Sequence, residues 1–383
     1  MSHKMHRWSR VSKYPMLPIA VALVIIFITL RFVCDIPQQK KTFQHGSRVE
    51  MASVKTDRGL WLLQYRDSLF VSLRSAPLTD EAYSLVSVMA LGEKSVLRKD
   101  MKDAFRNTGT SHLLALSGLH MGIIMGMLLF LFKPFFRRGS LGYSLLAVLL
   151  LLPIWIYVFM VGAAISVVRS AVMISICIIV SAFGRRNVGI NTLATATVVI
   201  LCISPESLEI SFQLSFLSVL GIMVVCPVFN DYSNRKIHYR ALRFCLQACV
   251  VSLSAQIATL PLVLYYFGNV SPYSVLTNLV AIPLASVFLW CVMVAIIMSC
   301  FSVSIAVPAL VINFLVCVLL GFLRLVEFLP YATISGMDFN IIQVLLLYAV
   351  IVVAGLWWKN NNAKRSELLL LTILTFILVT YLC

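Results

Sequence analysis

Acidic side chains are scarce in this 383-residue chain: 15 Asp and Glu stand against 31 Lys and Arg, and only 12% of residues carry charge. So little polar surface cannot cover a soluble globule, which excludes a soluble enzyme. No acidic residue occurs between Asp103 and Glu206. Histidine is equally sparse, with His3, His6, His45, His112, His120 and His238 and no His-x-His-x-Asp-His cluster. A two-metal hydrolase centre cannot be assembled from that set, and we expect neither metal nor cofactor. No CxxC pair is present, and none of the ten cysteines lies between Asp35 and Thr110, where an external disulfide would be useful. Cys245 and Cys249 stand one helical turn apart without a nearby His or carboxylate, so they read as small buried hydrophobes rather than metal ligands.

Apolar residues are abundant instead, at 60%. They gather in runs near the roughly 20 residues that span a bilayer core, too long for barrel strands. The expected spans are 17–34, 111–132, 141–161, 165–183, 189–204, 211–229, 244–266, 273–299, 304–323, 340–357 and 367–383. The fold class is therefore an all-α polytopic membrane protein with about eleven transmembrane helices. Leu17 to Val33 lacks a small-residue cleavage pattern and reads as an uncleaved first helix. Basic residues fall in alternate loops: Lys4 to Lys13, Lys133 to Arg138, Arg185 and Arg186, Arg235 to Arg243, and Lys359 to Arg365. The positive-inside rule then puts the N-terminus in the cytoplasm and the C-terminus outside. Topology already accounts for the net charge of +16, so that charge does not by itself indicate nucleic acid.

The one sizeable polar segment, residues 35–110, falls outside the membrane by the same parity. Arg48 to Lys55, Leu60 to Arg66 and Leu69 to Arg74 alternate or run apolar between turn-like triplets, which predicts a small three-stranded meander. Beyond Pro77, Thr79 is placed to cap a helix with Ala82, Leu85, Val86, Met89 and Ala90 on one face, and Leu97, Met101, Ala104 and Phe105 mark a second. The small external part is thus expected to be α+β, between the first and second spans.

Polar residues at membrane depth are the candidate site. In the second span His112 and His120 bracket Ser117, and eight residues put the two imidazoles roughly 12 Å apart along a helix, too far to share one metal. They are either packing histidines or channel lining. Gly118, Gly122 and Gly126 repeat every four residues, a face on which another helix packs closely. Arg169, flanked by Ser166 and Ser170, is the single charge inside the fourth span. A lone arginine at the bilayer centre costs roughly 2.5–3.5 kcal/mol and calls for backbone carbonyls, water or an anionic cargo as its partner. Gln213 with Ser211, Ser215 and Ser218 marks the sixth span, and Ser252, Gln256 and Thr259 form a stripe on the seventh. Either stripe is interhelical glue or lining. Pro261, Gly268-Asn269, Pro272, Asn278 and Pro283 are expected to break the seventh and eighth spans, as cavity-lining segments of transporters do. A serine-hydrolase reading of Ser117 fails here, because its base should come from another helix and His120 is expected on a neighbouring face. No catalytic residue is assigned.

The segment His112-Leu-Leu-Ala-Leu-Ser-Gly-Leu-His120 resembles the central signature of the ComEC-type competence family, channels that bring DNA into bacterial cells. Ala90-Leu-Gly-Glu-Lys-Ser95 and Phe105-Arg-Asn-Thr-Gly109 resemble the approach to it. Val168-Arg169-Ser170, Ser204-Pro205, Phe212-Gln-Leu-Ser-Phe216, Ala258-Thr-Leu-Pro261 and Asn278-Leu-Val-Ala-Ile-Pro283 continue it in order, over about residues 78–286. The resemblance implies passage of single-stranded DNA across the cytoplasmic membrane during transformation. It implies as partners an external DNA receptor, a cytoplasmic ATPase or helicase, the lipid bilayer and a separate nuclease, because the family's metallo-β-lactamase-like part has no counterpart in these histidines. Residues 1–34 would be the cytoplasmic N-terminus and first helix, 35–110 the external segment, 111–357 the channel domain, and 358–383 a cytoplasmic loop and last helix. An arginine with serines and amides suits phosphate oxygens, and Phe212, Phe216, Tyr265, Tyr266 and Tyr273 offer faces for bases, although packing explains any one aromatic. A permease for smaller anions on the same fold is the alternative.

Overall fold

The computed structural model describes residues 60–135, 140–182, 189–203, 210–236, 239–300, 303, 305–359 and 363–382. The expected first span and the Arg48 to Lys55 strand lie outside these residues. Helices follow in the order α1 Leu60–Ser75, α2 Asp80–Leu91, α3 Lys99–Asn107, α4 Gly118–Phe132, α5 Ser140–Met160, α6 Ile165–Ala182 and α7 Gly189–Ile203. Then come α8 Ile210–Lys236, α9 Arg240–Phe267, α10 Ser274–Cys300, α11 Ala306–Glu327, α12 Ile341–Lys359 and α13 Ala363–Leu382. Two-residue strands β1, Asn269–Val270, and β2, Ile334–Ser335, pair antiparallel and are the only strands among the described residues.

Five described helical stretches are long and apolar enough to cross a membrane: Gly118–Phe135, Ile210–Pro227, Leu242–Phe267, Ser274–Ser299 and Ala306–Glu327. The chain is a helical multi-pass membrane protein. Further apolar helices, among them Leu145–Met160, Ser166–Ser181 and Ile341–Trp357, have apolar cores of 10–17 residues. The count of about eleven therefore goes beyond what length and composition establish.

The meander expected at residues 60–74 is a helix. Between Leu60 and Ser75 there is no Gly or Pro to turn the chain. Leu69 and Leu73, four residues apart, are 3% and 2% exposed, so the period that governs burial is helical rather than two-fold. The two strands expected there are corrected accordingly, while the part of the segment before Leu60 lies outside the described residues. The second half of that segment is as the pattern indicated. Thr79 caps α2 by accepting from Ala82 N at 3.3 Å, Gly92 ends the helix at φ 77°, and Ala82, Leu85, Val86, Met89 and Ala90 are all buried. Met101, Ala104 and Phe105 form the buried face of α3.

The chain divides into two compact units. Among the described residues, one contains Leu60–Ser75 together with those of Leu116–Gln213. In it α6 packs on α4, α5 and α7, while α1 lies on α5. The α5–α6 corner is made by Gly162 and Ala163, both at positive φ, and is tied by Trp155 Nε1 donating to Ser175 Oγ at 3.1 Å. Ile154, Met121, Ala171 and Ala196 form its fully buried interior.

The other unit contains Ala76–Ala115 and Leu214–Cys383. Here α9 and α10 form a helical hairpin, α11 packs on α10, α12 on α9, and α13 on α12. The short α2 and α3 lie against α11, so they cover the bundle rather than forming a domain of their own. Asn313 of α11 holds the start of α2 from both sides, accepting from Thr79 N at 3.0 Å and donating to Pro77 O at 2.8 Å. Arg324 of α11 reaches Glu81 at 2.8 Å, and Arg98 reaches Asp100 at 2.7 Å. The Arg98 hydrogen bond holds the Asp100 carboxyl below the usual carboxylate range.

Candidate polar sites in the membrane-embedded helices

In the first unit the chain enters α4 through a turn, with Ser117 extended at φ −136° and ψ 176° in the N-cap position. Its hydroxyl makes no cap bond to the helix backbone and lies 3.2 Å from Nδ1 of His120. His120 is 1% exposed. The expectation that these two residues fall on separate faces is therefore corrected: the extended backbone at residue 117 swings its side chain over the first helical turn, where His120 sits. Ser166 Oγ donates to Leu116 O at 2.7 Å and Ser170 Oγ to Ser166 O at 2.9 Å, which seats α6 against this turn. Gly118 makes the contact possible, since a Cβ on it would stand 3.2 Å from Ser170 Oγ. Of the predicted glycine face, only Gly118 is used in this way. A Cβ on Gly122 or Gly126 would meet nothing within 4 Å among the described residues.

Arg169 faces the interior of the same unit and is 3% exposed. Its Nη2 donates to the Ser211 carbonyl at 3.0 Å, and its guanidinium carbon lies 5.5 Å from the centre of the Phe212 ring. A main-chain carbonyl is thus one of its partners, and the ring face adds an attraction that strengthens when water is excluded. Gln213, 5% exposed, follows on the same helix start. The geometry brings Ser117, His120, Ser170, Arg169 and Gln213 into one unit and directly joins the first two.

The second unit holds the remaining candidates. Ser252 Oγ accepts from Gln256 Nε2 at 3.1 Å and from Asn278 Nδ2 at 3.3 Å, and Gln256 Oε1 accepts from Ser274 Oγ at 2.9 Å. One uncharged network therefore joins α9 to α10. Ser215 stands apart from this network in the hydrogen bonds it makes, its carbonyl accepting from Ser218 Oγ at 2.9 Å. Pro261 and Pro283 do not break their spans, because both are internal to the continuous helices α9 and α10. Near Pro261, Tyr348 OH donates to Ala258 O at 3.1 Å and so ties α12 to α9, and Ser286 Oγ bonds Ile282 O one turn back on its own helix at 2.7 Å.

His112 is not part of a span. It lies in a 3-10 turn, Ser111–Leu113, that precedes α4, so it is not on one helix with His120. Its ring reaches the surface, yet the protein crowded around it pushes its pKa below the ordinary imidazole value, against the opposing effect of a hydrogen bond to the Gly109 backbone. Gly109 is one of the residues that sequence patterning missed. Its φ is +73°, and a Cβ on it would stand 2.5 Å from Ser274 Cβ and 3.1 Å from Ser271 Cβ. Ser271 and Ser274 were missed too, because they sit at a helix start where no stripe is yet established. No group of three or more His, Cys, Asp or Glu suited to a metal occurs among the described residues.

Comparison with known proteins bears on this arrangement. The family described as Competence protein matches residues 89–361, and the chain belongs to that family. ComE operon protein 3 of Bacillus subtilis (strain 168) is 28% identical over 214 residues, which are 56% of this chain and 26% of that protein. An uncharacterized protein of Aquifex aeolicus (strain VF5) is 28% identical over 226 residues, 57% of this chain and 49% of its own length. The chain thus spans at most about half of the curated relatives it matches. No solved structure matches it.

Proposed function

We propose that this member of the Competence protein family is a channel through which single-stranded DNA crosses the bacterial cytoplasmic membrane during natural transformation. The observation that carries the reading is Arg169: a guanidinium inside an apolar bundle, held by the Ser211 carbonyl at 3.0 Å and placed on the Phe212 ring. A cation and a ring face side by side are what a phosphodiester strand needs, because phosphate takes charge and hydrogen bonds while bases stack. Ser117, His120, Ser170 and Gln213 would add hydroxyl, imidazole and amide contacts. In the other unit Ser252, Gln256 and Asn278 would supply neutral ones.

The N-terminus is assigned to the cytoplasm and the C-terminus to the outside, from the distribution of Lys and Arg among the short loops. Strand capture would fall to an external receptor, force generation to a cytoplasmic ATPase or helicase, and strand degradation to a separate nuclease. The reading assigns no catalytic residue and no cofactor to this chain.

The test is transformation with labelled donor DNA in a strain deleted for this gene and complemented with wild type or Arg169→Ala. Loss of uptake in the deletion strain, with DNA accumulating outside the cytoplasm, is expected. An Arg169→Ala strain with normal membrane abundance should remain defective. Unimpaired uptake in the deletion strain would refute the channel, and anion flux through the purified protein in liposomes would then mark a permease for smaller anions.

A further inference from the structure

The network between α9 and α10 has two loose ends. Ser252 and Gln256 are half-buried, whereas Asn278 and Ser271 are 6% and 8% exposed. Asn278 Oδ1 and Ser271 Oγ are enclosed by protein and make no hydrogen bond. Turning the Asn278 amide over does not help, since its NH2 group would then occupy the same unpaired position while the oxygen faced Ser252. A buried polar atom left in this condition carries the full loss of its hydration. No ionisable side chain takes part in these three hydrogen bonds.

What surrounds the two atoms explains how they stay covered. The loop after α3 presses Gly109 onto Ser271 and Ser274 so closely that there is no room for a side chain at residue 109. β1 pairs with β2 just before Ser271, fixing the turn from α9 into α10. The seam is thus shut by packing from outside together with two hydrogen bonds across it, Asn278 to Ser252 and Ser274 to Gln256. Parting it would exchange those two bonds for bonds to water, and would also give water access to the two unpaired groups, which have no partner in the closed seam.

From this imbalance we infer that the α9–α10 seam is a closed water path, and that Asn278 and Ser271 become water-bonded wall residues when it parts. The ligand is water, with small hydrophilic solutes able to follow. The inference does not rest on DNA as cargo, since it concerns only this seam.

Cysteine accessibility in native membranes tests it on the full chain. Asn278→Cys and Ser271→Cys are treated with a charged, membrane-impermeant methanethiosulfonate, and the modified peptide is read by mass spectrometry so that native cysteines do not interfere. The reference is Ala285→Cys, on the same helix as Asn278 at a position that is 0% exposed. Both seam positions should react at least ten-fold faster than the reference; reaction no faster than Ala285→Cys at either would overturn the inference. A second variant guards against a disturbed fold. Ser271→Ala removes an unpaired hydroxyl without adding volume, so it should raise the melting temperature and slow labelling of Asn278→Cys at least three-fold. A lowered melting temperature would mean that the hydroxyl is bonded in the closed seam, and would equally overturn the proposal.

Discussion

Gly221 of α8 lies against Ala258 of α9 so closely that a Cβ on the glycine would stand 2.5 Å from Ala258 Cβ and 2.7 Å from the Ser254 carbonyl oxygen. Backbone approach of this kind is how helices associate in lipid, where no hydrophobic difference drives them together. The same residue type behaves differently at Gly122 and Gly126, where an added Cβ would meet nothing within 4 Å among the described residues.

This contrast gives a paired prediction. Gly221→Ala must displace α8 from α9 and should destabilise the protein by about 1–3 kcal/mol, as overpacking does. Gly122→Ala and Gly126→Ala should be neutral or stabilise by up to about 1 kcal/mol through helix propensity. Thermal unfolding of the purified protein in one detergent compares the three; equal losses would show that the four-residue glycine repeat is itself a packing face.

Gly109 should be less tolerant still. Its φ of +73° suits no ordinary side chain, and the Ser274 Cβ stands where its own would go. Strain of about 1 kcal/mol or more from the backbone adds to the clash. Gly109→Ala should therefore lower the unfolding temperature more than Gly221→Ala, and a variant as stable as wild type would show that the loop after α3 relaxes freely.

Much of this architecture was legible before any coordinates. Residue runs located most of the described apolar helices within a few positions, although α4 begins at Gly118 rather than at residue 111 and α8 runs on to Lys236, and Thr79 with the buried face of α2 followed from a cap and a 3.6-residue period. The strands drawn over residues 60–74 were wrong because short apolar runs carry no period of their own, and Leu69 and Leu73 settle it only once a neighbour buries them. The prolines misled because each removes one bond of the helical ladder without ending it: α9 and α10 run on past Pro261 and Pro283. Site residues divide in the same way. Types and stripes picked out Arg169, Ser252, Gln256 and Asn278, but their partners, Ser211 O, Phe212 and Ser274, were visible only in the fold.

The clamp on α2 makes a stability prediction. Thr79 both caps the helix and bonds Asn313, which in turn holds Pro77 O. Thr79→Ala should cost about 1 kcal/mol, typical of a lost N-cap. Asn313→Ala should loosen the start of α2, read as faster amide exchange at Thr79 and at Ala82, whose N–H bonds the Thr79 hydroxyl; unchanged exchange would show that the α2–α11 contact holds the segment without it.

The last prediction concerns pH. Crowding lowers the His112 pKa in the folded chain, so the unfolded chain binds the proton more readily. Neutral His112 thus contributes stability that is fully present above the ordinary imidazole pKa of about 6.5 and is lost as pH falls from there through the lowered folded value. The Asp100 carboxyl, held low by Arg98, acts in the same direction only at more acid pH, below the ordinary carboxylate pKa of about 4. Between pH 7.5 and 5.5 the wild-type melting temperature should fall more than that of His112→Gln, which has nothing to protonate there. Parallel curves for the two proteins would mean that His112 takes up its proton as easily folded as unfolded, with the Gly109 bond offsetting the crowding around the ring.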